Sequence, residues 1–240
     1  MTAVDFRKHV FTAPPGRRRL LLAAIESLMA KDRPFRILDL GCGTGAQLLD
    51  IAASFPLATC VGIDLSGGSI AQAREAVADS DDQVRLSYVQ GDYLSFETDP
   101  FDVILADSVL QNISVPTAVL ASKIGNDLNP DGFLVASIPY DGLYNRLVWN
   151  GRRTLRLLRG PLLERMALAI GRLLHPSWST NMIRERVPYL YLLPAHVDGW
   201  ELRDAFRSAG QLVVVQERPV PHASPAQPRH RLVVFRKQPA

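Results

Sequence analysis

Cysteine is scarce in this chain, and long uncharged stretches are absent from it. The 240 residues include only Cys42 and Cys60, too few for a disulfide framework or a cysteine-based metal cluster, so we predict two free thiols and no metal. No uncharged stretch approaches the ~18–20 residues that a membrane-spanning helix needs. The first ten residues lack the apolar segment of a secretory signal peptide. We therefore expect a cytoplasmic protein without a transmembrane segment.

Lysine is also rare, and the positive charge is concentrated in one segment. Residues 140–190 contain nine arginines, no lysine and three acids, a net charge of +6, although the whole chain carries only +3. Such a block can attract an anionic partner such as a phosphate, a carboxylate substrate, RNA or a membrane surface. A solvated helix face explains the same pattern in a chain that has only four lysines. Both interpretations stay open at this point.

An apolar strand runs into a glycine-rich turn in the segment RILDLGCGTG, residues 36–45. Gly41 and Gly43 permit a tight turn and the close approach of a ligand, and Gly45 lets the following helix pack closely on the strand. A second apolar run, CVGIDLS, contains Asp64, 23 positions after Gly41. A carboxylate at that place can accept hydrogen bonds from ribose hydroxyls. The pattern predicts half of a nucleotide-binding α/β sheet.

The glycine spacing alone fits two classes of cofactor. Gly41, Gly43 and Ala46 also satisfy the dinucleotide fingerprint, which keeps a nicotinamide oxidoreductase as a remote alternative. Asp39, two residues before the first glycine, suits a cationic ligand and would crowd a pyrophosphate. The stretch from Asp39 to Gly45 resembles motif I of the class I S-adenosylmethionine-dependent methyltransferases, and we identify the small-molecule, ubiquinone-biosynthesis-like type.

Three further motifs of that family follow in order within residues 35–138. Gly91 and Asp92 follow a third predicted strand, the run FDVILAD resembles the fourth strand, and LNPDGFLV resembles the turn into the fifth. The resemblance implies S-adenosylmethionine as the cofactor, bound by residues at these strand ends. The implied cofactor-binding residues are Asp39, Gly41, Cys42, Gly43, Gly45, Asp64, Leu65, Gly91, Asp92, Tyr93, Asp107 and Ser108.

The alternation of apolar strands and helices predicts an α/β fold. The resemblance completes it as a Rossmann-like, seven-stranded, mostly parallel sheet with helices on both faces, an antiparallel C-terminal hairpin and a helical insertion after strand five. We predict a single domain with four segments.

The segments are an arm and helix (1–33), a cofactor-binding half (34–139), a helical lid (140–195), and a helix and hairpin (196–240). Helices are predicted near 17–31, 46–54, 152–159, 161–174 and 198–209. Strands are predicted near 36–40, 59–64, 84–90, 102–107, 132–138, 211–217 and 230–236.

Residues 140–195 are too many for an ordinary connection, which usually spans ~2–6 residues. Pro161 can start a helix there, and the apolar residues that follow it share one broad face. We therefore predict a hydrophobic lid with arginines at its rim, placed over the acceptor. Peripheral membrane contact through 151–174 and a homodimer are the partner alternatives.

The sequence shows no catalytic triad, and methyl transfer can be accelerated largely by positioning the two reactants. Many small-molecule members of the resembled family have a histidine after strand four, whereas here the run reads VLQNI, in which Gln111 and Asn112 cannot take a proton at neutral pH. The candidate catalytic residues are His175 in the insertion, Tyr140 directly after strand five, and His9 on the N-terminal arm.

We expect methyl transfer from S-adenosylmethionine to a small, partly apolar acceptor, at oxygen in preference to nitrogen or carbon. The first alternative is an RNA or protein methyltransferase that docks through the arginine-rich insertion. Nucleic acid is not favoured, because the aromatic residues of the insertion cluster with leucine and methionine instead of alternating with basic residues. The second alternative is a non-catalytic S-adenosylmethionine-binding regulatory protein.

Overall fold

A computed structural model describes residues 10–13, 15–78, 80–158, 160–176, 179–180, 183–184, 187–196, 199–221 and 227–239, with backbone alone at 81–82 and 188–189. The helices are α1 (Pro15–Glu26), α2 (Ala46–Ser54), α3 (Gly67–Glu75), α4 (Thr117–Asn126), α5 (Leu143–Leu157), α6 (Pro161–Leu174) and α7 (Gly199–Ser208). The strands are β1 (Phe35–Leu40), β2 (Ala58–Asp64), β3 (Leu86–Gln90), β4 (Phe101–Asp107), β5 (Leu128–Pro139), β6 (Leu212–Pro219) and β7 (His230–Lys237).

The seven strands form one sheet in the order β3-β2-β1-β4-β5-β7-β6. The first five strands run parallel, and β7 is antiparallel to both β5 and β6. The predicted mostly parallel sheet with an antiparallel C-terminal hairpin is confirmed. The strand order reverses between β1 and β4, and ligands of such sheets bind in the crevice at the carboxyl ends of the strands at that point.

Helices cover both faces of the sheet, because successive side chains of each strand point to opposite faces. One core joins α1, α2 and α3 to one set of strand residues, which includes Ile37, Cys60 and Val103. The other joins α4 and α7 to the alternate set, which includes Leu38, Val61 and Ile104. Because both faces are buried, the central strands read as nearly continuous apolar runs.

Two predicted helices have different bounds in the structure. The first was expected near 17–31, but α1 ends at Glu26, where the backbone N–H of Ser27 donates to the carbonyls of both Ala23 and Ala24 and the chain tightens into a turn. The helix expected near 152–159 begins nine residues earlier, at Leu143. The polar residues of its first turns obscured the helical pattern. The helix expected near 198–209 is α7, and its expected first residue lies outside the described ones.

Within the described residues, the lid includes α5, α6 and a short 3₁₀ turn, Val187–Tyr191. Asn145 fixes the start of α5 with three hydrogen bonds: its amide nitrogen donates to the carbonyls of Tyr140 (2.7 Å) and Arg229 (2.9 Å), and its amide oxygen accepts from the Arg229 N–H (2.7 Å). By contrast, α6 has no buried residue. Across the described residues, no helix combines the length and hydropathy that crossing a membrane would demand.

The described part of the N-terminal arm, residues 10–13, has no regular secondary structure and lies across the glycine-rich turn. The Phe11 carbonyl accepts a hydrogen bond of 3.0 Å from the Thr44 N–H, and the hydroxyls of Thr12 and Thr44 are 2.9 Å apart. The Phe11 N–H donates to the Ser69 hydroxyl at 3.4 Å. These contacts place the arm beside the crevice at the strand ends.

Candidate active site

One large cavity opens at the carboxyl ends of the parallel strands and continues into the lid. Its volume is about 980 Å³, at the upper end of the ~300–1,000 Å³ usual for small-molecule sites. Eight of the twelve predicted cofactor residues line it: Gly41, Asp64, Leu65, Gly91, Asp92, Tyr93, Asp107 and Ser108. Lid residues line the other end, so a nucleoside at the sheet and an apolar molecule under the lid would share one space.

The other four predicted cofactor residues, Asp39, Cys42, Gly43 and Gly45, are not among the residues that line this cavity. Gly43 has a φ of 54°, and a Cβ there would collide with the Phe11 carbonyl of the arm. Gly45 has a φ of 75°, and its Cβ would lie 2.6 Å from the Tyr88 hydroxyl. These two glycines therefore shape the turn and its packing, while Gly41 forms part of the cavity wall.

Asp64 ends β2 beside this turn, and its carboxylate is held by two backbone donors. One oxygen accepts from the Gly43 N–H at 2.9 Å, and the other accepts from the Ser66 N–H at 2.8 Å. Each carboxylate oxygen can accept a further hydrogen bond, so Asp64 can also receive two hydroxyls from the cavity. Asp92 is exposed at the end of β3 and accepts from the Leu94 N–H at 3.0 Å.

Three acids, Asp39, Asp64 and Asp107, interact with one another beside this end of the cavity. Asp39 is buried in β1, and burial, with added repulsion from Asp107 and Asp64, raises its pKa to about 8. Burial and the charges of Asp39 and Asp64 also raise the pKa of the Cys42 thiol, which therefore stays protonated. A cation bound nearby would relieve the repulsion among the carboxylates. The arrangement fits the sulfonium and ammonium groups of S-adenosylmethionine.

Arg17, at the start of α1, organises the wall at the end of β4. Its Nε donates to Asp107 Oδ1 at 2.7 Å, and a terminal nitrogen donates to the hydroxyls of Ser108 and Ser137. Ser137, in β5, also donates to Asp107 Oδ1 at 2.7 Å. Ser108 has a φ of 59°, an uncommon value for a non-glycine residue that is often found at functional sites.

His230, at the start of β7, lines the cavity as a neutral imidazole. Its Nδ1 lies 2.9 Å from the Pro228 carbonyl and therefore carries the hydrogen, while Nε2 lies 3.5 Å from the Gln111 amide nitrogen. Burial, together with the positive charges of Arg17 and Arg152, lowers the pKa of His230 to about 4. A general base works best with a pKa near the working pH, so His230 is a weak one at neutral pH.

The three predicted catalytic residues occupy different places. His175 follows α6 and lines the lid end of the cavity. Tyr140 lines a neighbouring cleft of about 370 Å³ together with Asn145 and Trp149, and it does not line the main cavity. His9 lies outside the described residues. Of the two candidates that the structure describes, His175 lines the main cavity and Tyr140 does not. The catalytic roles of all three stay predictions.

Comparison with known proteins identifies the family. Residues 37–132 match the family described as "Methyltransferase domain". Residues 37–132 therefore carry a class I S-adenosylmethionine-dependent methyltransferase domain. It is 34% identical to the malonyl-[acyl-carrier protein] O-methyltransferase of Halalkalibacterium halodurans over 45% of this chain and 40% of that protein. It is 32% identical to the trans-aconitate 2-methyltransferase of Deinococcus radiodurans over 49% of this chain and 44% of that protein, so it spans less than half of either relative.

Solved structures share the fold of this methyltransferase domain over nearly the whole chain. The N-methyltransferase NodS from Bradyrhizobium japonicum WM9 aligns with a TM-score of 0.58 and 18% identity over 93% of this chain and 98% of NodS. NodS has also been solved with S-adenosylhomocysteine. The [4+2]-cyclase SpnF aligns with a TM-score of 0.62 and 16% identity over 97% of this chain and 87% of SpnF. At these identities the likeness establishes the fold alone.

Sequence reasoning missed several residues of this candidate site. Trp149 and Arg152 lie on the inner face of α5 with Asn145, and their spacing of four and three residues is a helical signal that could have identified them. Arg17 had no comparable signal, because its partner Asp107 is 90 residues away in the sequence. The ubiquinone-biosynthesis-like type expected from the resemblance is not specifically supported by the relatives found.

Proposed function

We propose that this protein transfers a methyl group from S-adenosylmethionine to a small, partly apolar acceptor, at oxygen in preference to nitrogen or carbon. The observation that carries the proposal is the single cavity that joins the strand ends to the lid. The sheet end is acidic and holds the ribose-binding type of carboxylate, whereas the lid end is lined mainly by apolar side chains. Donor and acceptor would therefore meet inside one enclosed space.

Bound S-adenosylmethionine supplies an electrophilic methyl group on a sulfonium centre. In this chain, Asp64 would accept from the ribose hydroxyls, Asp92 would lie near the adenine, and the carboxylates of Asp39 and Asp107 would complement the positive charge. The lid would exclude water, which otherwise stabilises the charged reactants more than the transition state. Holding the acceptor in line with the methyl carbon can contribute ~7–11 kcal/mol to the acceleration.

One of the relatives supports oxygen as the nucleophile, because it is named as an O-methyltransferase. The surroundings of the cavity agree with this choice. Gln111 and Asn112, which follow β4, are not bases, and their amide nitrogens both donate to the Ser108 carbonyl, at 2.9 and 3.0 Å. An acceptor that is already anionic would need no base in this position.

Calorimetry with S-adenosylmethionine, S-adenosylhomocysteine and NAD tests the first half of the proposal. Micromolar-scale binding of the first two ligands is expected, as is usual for ligands of this size. Mass spectrometry of a panel of alcohols, phenols and carboxylic acids incubated with the protein and S-adenosylmethionine tests the second half, since a methylated product gains the mass of one CH₂. Tight NAD binding without binding of either adenosyl ligand would overturn the proposal.

The same assays address the two functional alternatives. An RNA or protein methyltransferase would modify macromolecules but none of the small acceptors, and its activity would fall steeply with added salt. A regulatory protein would bind S-adenosylmethionine without transferring the methyl group to any acceptor. The predicted cytoplasmic location and single-domain organisation stay predictions.

The outer surface of the lid supports peripheral contact with an anionic membrane. Apolar side chains of α5 and α6 are strongly exposed, including Leu147 (62%), Leu162 (72%) and Leu173 (81%). Exposed arginines lie on the same two helices, among them Arg153 and Arg165. Helices that lie in the interface of anionic bilayers typically combine exposed leucines with neighbouring arginines.

Vesicle sedimentation separates membrane contact from the homodimer that the sequence also left open. The protein should sediment with vesicles containing phosphatidylserine and remain in solution with pure phosphatidylcholine. A Leu162→Ser/Leu173→Ser double variant should lose this binding. If light scattering shows a dimer that the same substitutions dissociate, while vesicle binding is absent, the surface is a subunit interface instead.

A further inference from the structure

Trp149 and Arg152, on α5, add polar side chains to the wall of the cavity. Both lie on the inner face of α5 and are nearly fully buried, with exposed fractions of 7% and 8%. The Arg152 guanidinium carbon is 5.1 Å from the centre of the Trp149 ring, a stacked arrangement that orients both side chains. Both residues line the cavity.

The indole N–H of Trp149 is a buried donor that finds no acceptor within the described part of the chain. A buried tryptophan N–H usually has a partner, because leaving such a donor unsatisfied is costly. Arg152 adds a positive charge: one terminal nitrogen donates to the Leu192 carbonyl at 3.1 Å, and burial lowers its pKa to about 10, so it stays charged at neutral pH. Together they place an N–H donor and a cation in the wall of the cavity.

The charges on the cavity wall differ between its two ends. Asp64, Asp92 and Asp107 lie at the sheet end, and Arg17 there is paired with Asp107. The charged side chain that the described lid contributes to the wall is Arg152. Beyond it the lining is apolar and consists mainly of Leu155, Leu163, Met166, Ile170, Val187 and Leu190. The lid end therefore suits a molecule with one anionic group and an apolar body.

We infer that the acceptor is an amphiphilic carboxylate, whose charged group binds Arg152 and the Trp149 N–H and whose alkyl or aryl body lies under the lid. This inference rests on the proposed methyl transfer and names the acceptor class for it. A guanidinium and an N–H donor match a carboxylate in charge and in hydrogen bonding. The anionic group would lie between the apolar pocket and the bound methyl donor.

A carboxylate acceptor also explains why the site needs no base. One carboxylate oxygen forms a bond to the methyl carbon while the carbon–sulfur bond breaks, and the electron pair of that bond stays on sulfur. The products are a methyl ester and the neutral thioether S-adenosylhomocysteine. The negative charge of the acceptor and the positive charge of the sulfonium cancel, and no proton moves. A weakly basic His230 and the amides of Gln111 and Asn112 are compatible with this reaction.

Calorimetric titration of decanoate and decanol tests the inference, with and without saturating S-adenosylhomocysteine. The two probes share an alkyl chain and differ in the charged group. The wild-type protein should bind decanoate at least tenfold more tightly than decanol, because a charge-assisted hydrogen bond contributes more than a neutral one. Arg152→Met, which keeps much of the apolar bulk, should lose this preference. Arg153→Met, an exposed arginine on the same helix, should retain it and serves as the matched control.

Two further variants keep the test independent of folding. Arg152→Lys should retain part of the preference, and Trp149→Phe, which removes only the N–H and part of the ring, should weaken decanoate binding several-fold without changing decanol binding. Incubation with S-adenosylmethionine should yield methyl decanoate from the wild type and much less from Arg152→Met. Equal binding of decanoate and decanol by the wild type, or an unchanged preference in Arg152→Met, would overturn the carboxylate subsite.

The proposed function fails in a different way. If the wild-type protein binds neither adenosyl ligand, methyl transfer is excluded, yet the titrations without S-adenosylhomocysteine still decide whether an anion subsite exists. If the adenosyl ligands bind and decanoate shows no preference, only the acceptor assignment is wrong.

Discussion

The Gly43 N–H donates to the Asp64 carboxylate across 2.9 Å, so the glycine-rich turn after β1 directly fixes the acid at the end of β2. The two motifs that stand 21 residues apart in the sequence are thus parts of one structure. The turn supplies the donor because Gly43 adopts a φ of 54°, which residues with a Cβ rarely adopt. The orientation of Asp64 toward a ribose depends on that backbone conformation.

Replacement of Asp64 by alanine tests the cofactor site. If its carboxylate accepts from both ribose hydroxyls, Asp64→Ala should weaken S-adenosylmethionine binding at least tenfold, since charge-assisted hydrogen bonds are worth ~1.5–3 kcal/mol each. Asp64→Asn keeps the shape of the side chain, and its affinity for S-adenosylmethionine should lie between those of the wild type and Asp64→Ala. Calorimetry measures the dissociation constants, and circular dichroism verifies folding. An unchanged constant in folded Asp64→Ala would show that the ribose lies elsewhere.

Replacement of Gly43 by valine should disrupt the turn. The side chain would meet the Phe11 carbonyl, and valine at positive φ is strained by about 1–3 kcal/mol. We expect a lower melting temperature and weaker S-adenosylmethionine binding. Gly151→Ala is the matched control, because a Cβ at this helical position has no neighbour within 4 Å, and it should stabilise the protein by roughly 0.5–1 kcal/mol. Equal melting temperatures for Gly43→Val and the wild type would contradict the described arm contact.

Arg17→Met should destabilise the protein and change the pKa of His230, which is distant from Arg17 in the sequence. The substitution leaves Asp107 without its guanidinium partner, which should cost about 1.5–3 kcal/mol in the free energy of unfolding measured in urea. It also removes one of the charges that lower the pKa of His230, so that pKa should rise from about 4, as followed by NMR. Arg19→Met, on the exposed side of the same helix, should change neither quantity.

The affinity for S-adenosylmethionine should depend on pH through Asp39. In the ligand-free protein the pKa of Asp39 is raised from 3.8 to about 8, so the group is mostly protonated at neutral pH. A sulfonium favours the ionised form, and binding should therefore tighten as the pH rises from 7 to 9 and level off above that range. S-adenosylhomocysteine shares every other charged group and is the control. The ratio of the two affinities should be independent of pH in Asp39→Asn.

Asp39 has the opposite effect on folding. Because its pKa is higher in the folded state, its contribution to stability is fully present below pH 3.8 and is lost as the pH rises to about 8. The free energy of unfolding of Asp39→Asn should therefore decline less than that of the wild type between neutral pH and pH 8, when both are measured without ligand. Equal declines in the variant and the wild type would indicate that Asp39 titrates at its ordinary pKa.

The sequence predicted the sheet well because the relevant interactions are local or periodic. The segment from β1 to β2 carries its own signals, namely an apolar strand, the glycine turn and Asp64, and α2 has the predicted bounds, Ala46–Ser54. The lid was harder to predict. The buried face of its helix α5 carries Asn145, Trp149 and Arg152, so a search for apolar periodicity detects only its second half.

The predicted residues that line the cavity stand in motifs at the ends of strands, whereas contacts between distant elements were not predicted. Tyr140 follows β5 as expected, yet β5 ends at Pro139 and the chain turns so that the tyrosine lines the adjacent cleft. The Arg17–Asp107–Ser137 network joins α1, β4 and β5, and no spacing in the sequence indicates such a contact. Contacts of this kind depend on how the helices pack, which the local pattern does not specify.

Asn145 ties the first turn of α5 to the chain that leads into β7, whereas α6 buries no side chain. Segments with few buried contacts open at low free energy. The lid should therefore show a gradient of hydrogen exchange, slow at the root of α5 and fast along α6. An acceptor that enters beneath α6 would then displace that helix, while Trp149 and Arg152 on α5 remain in place. The lid could thus admit apolar bodies of different shapes and keep the same polar groups for binding the acceptor.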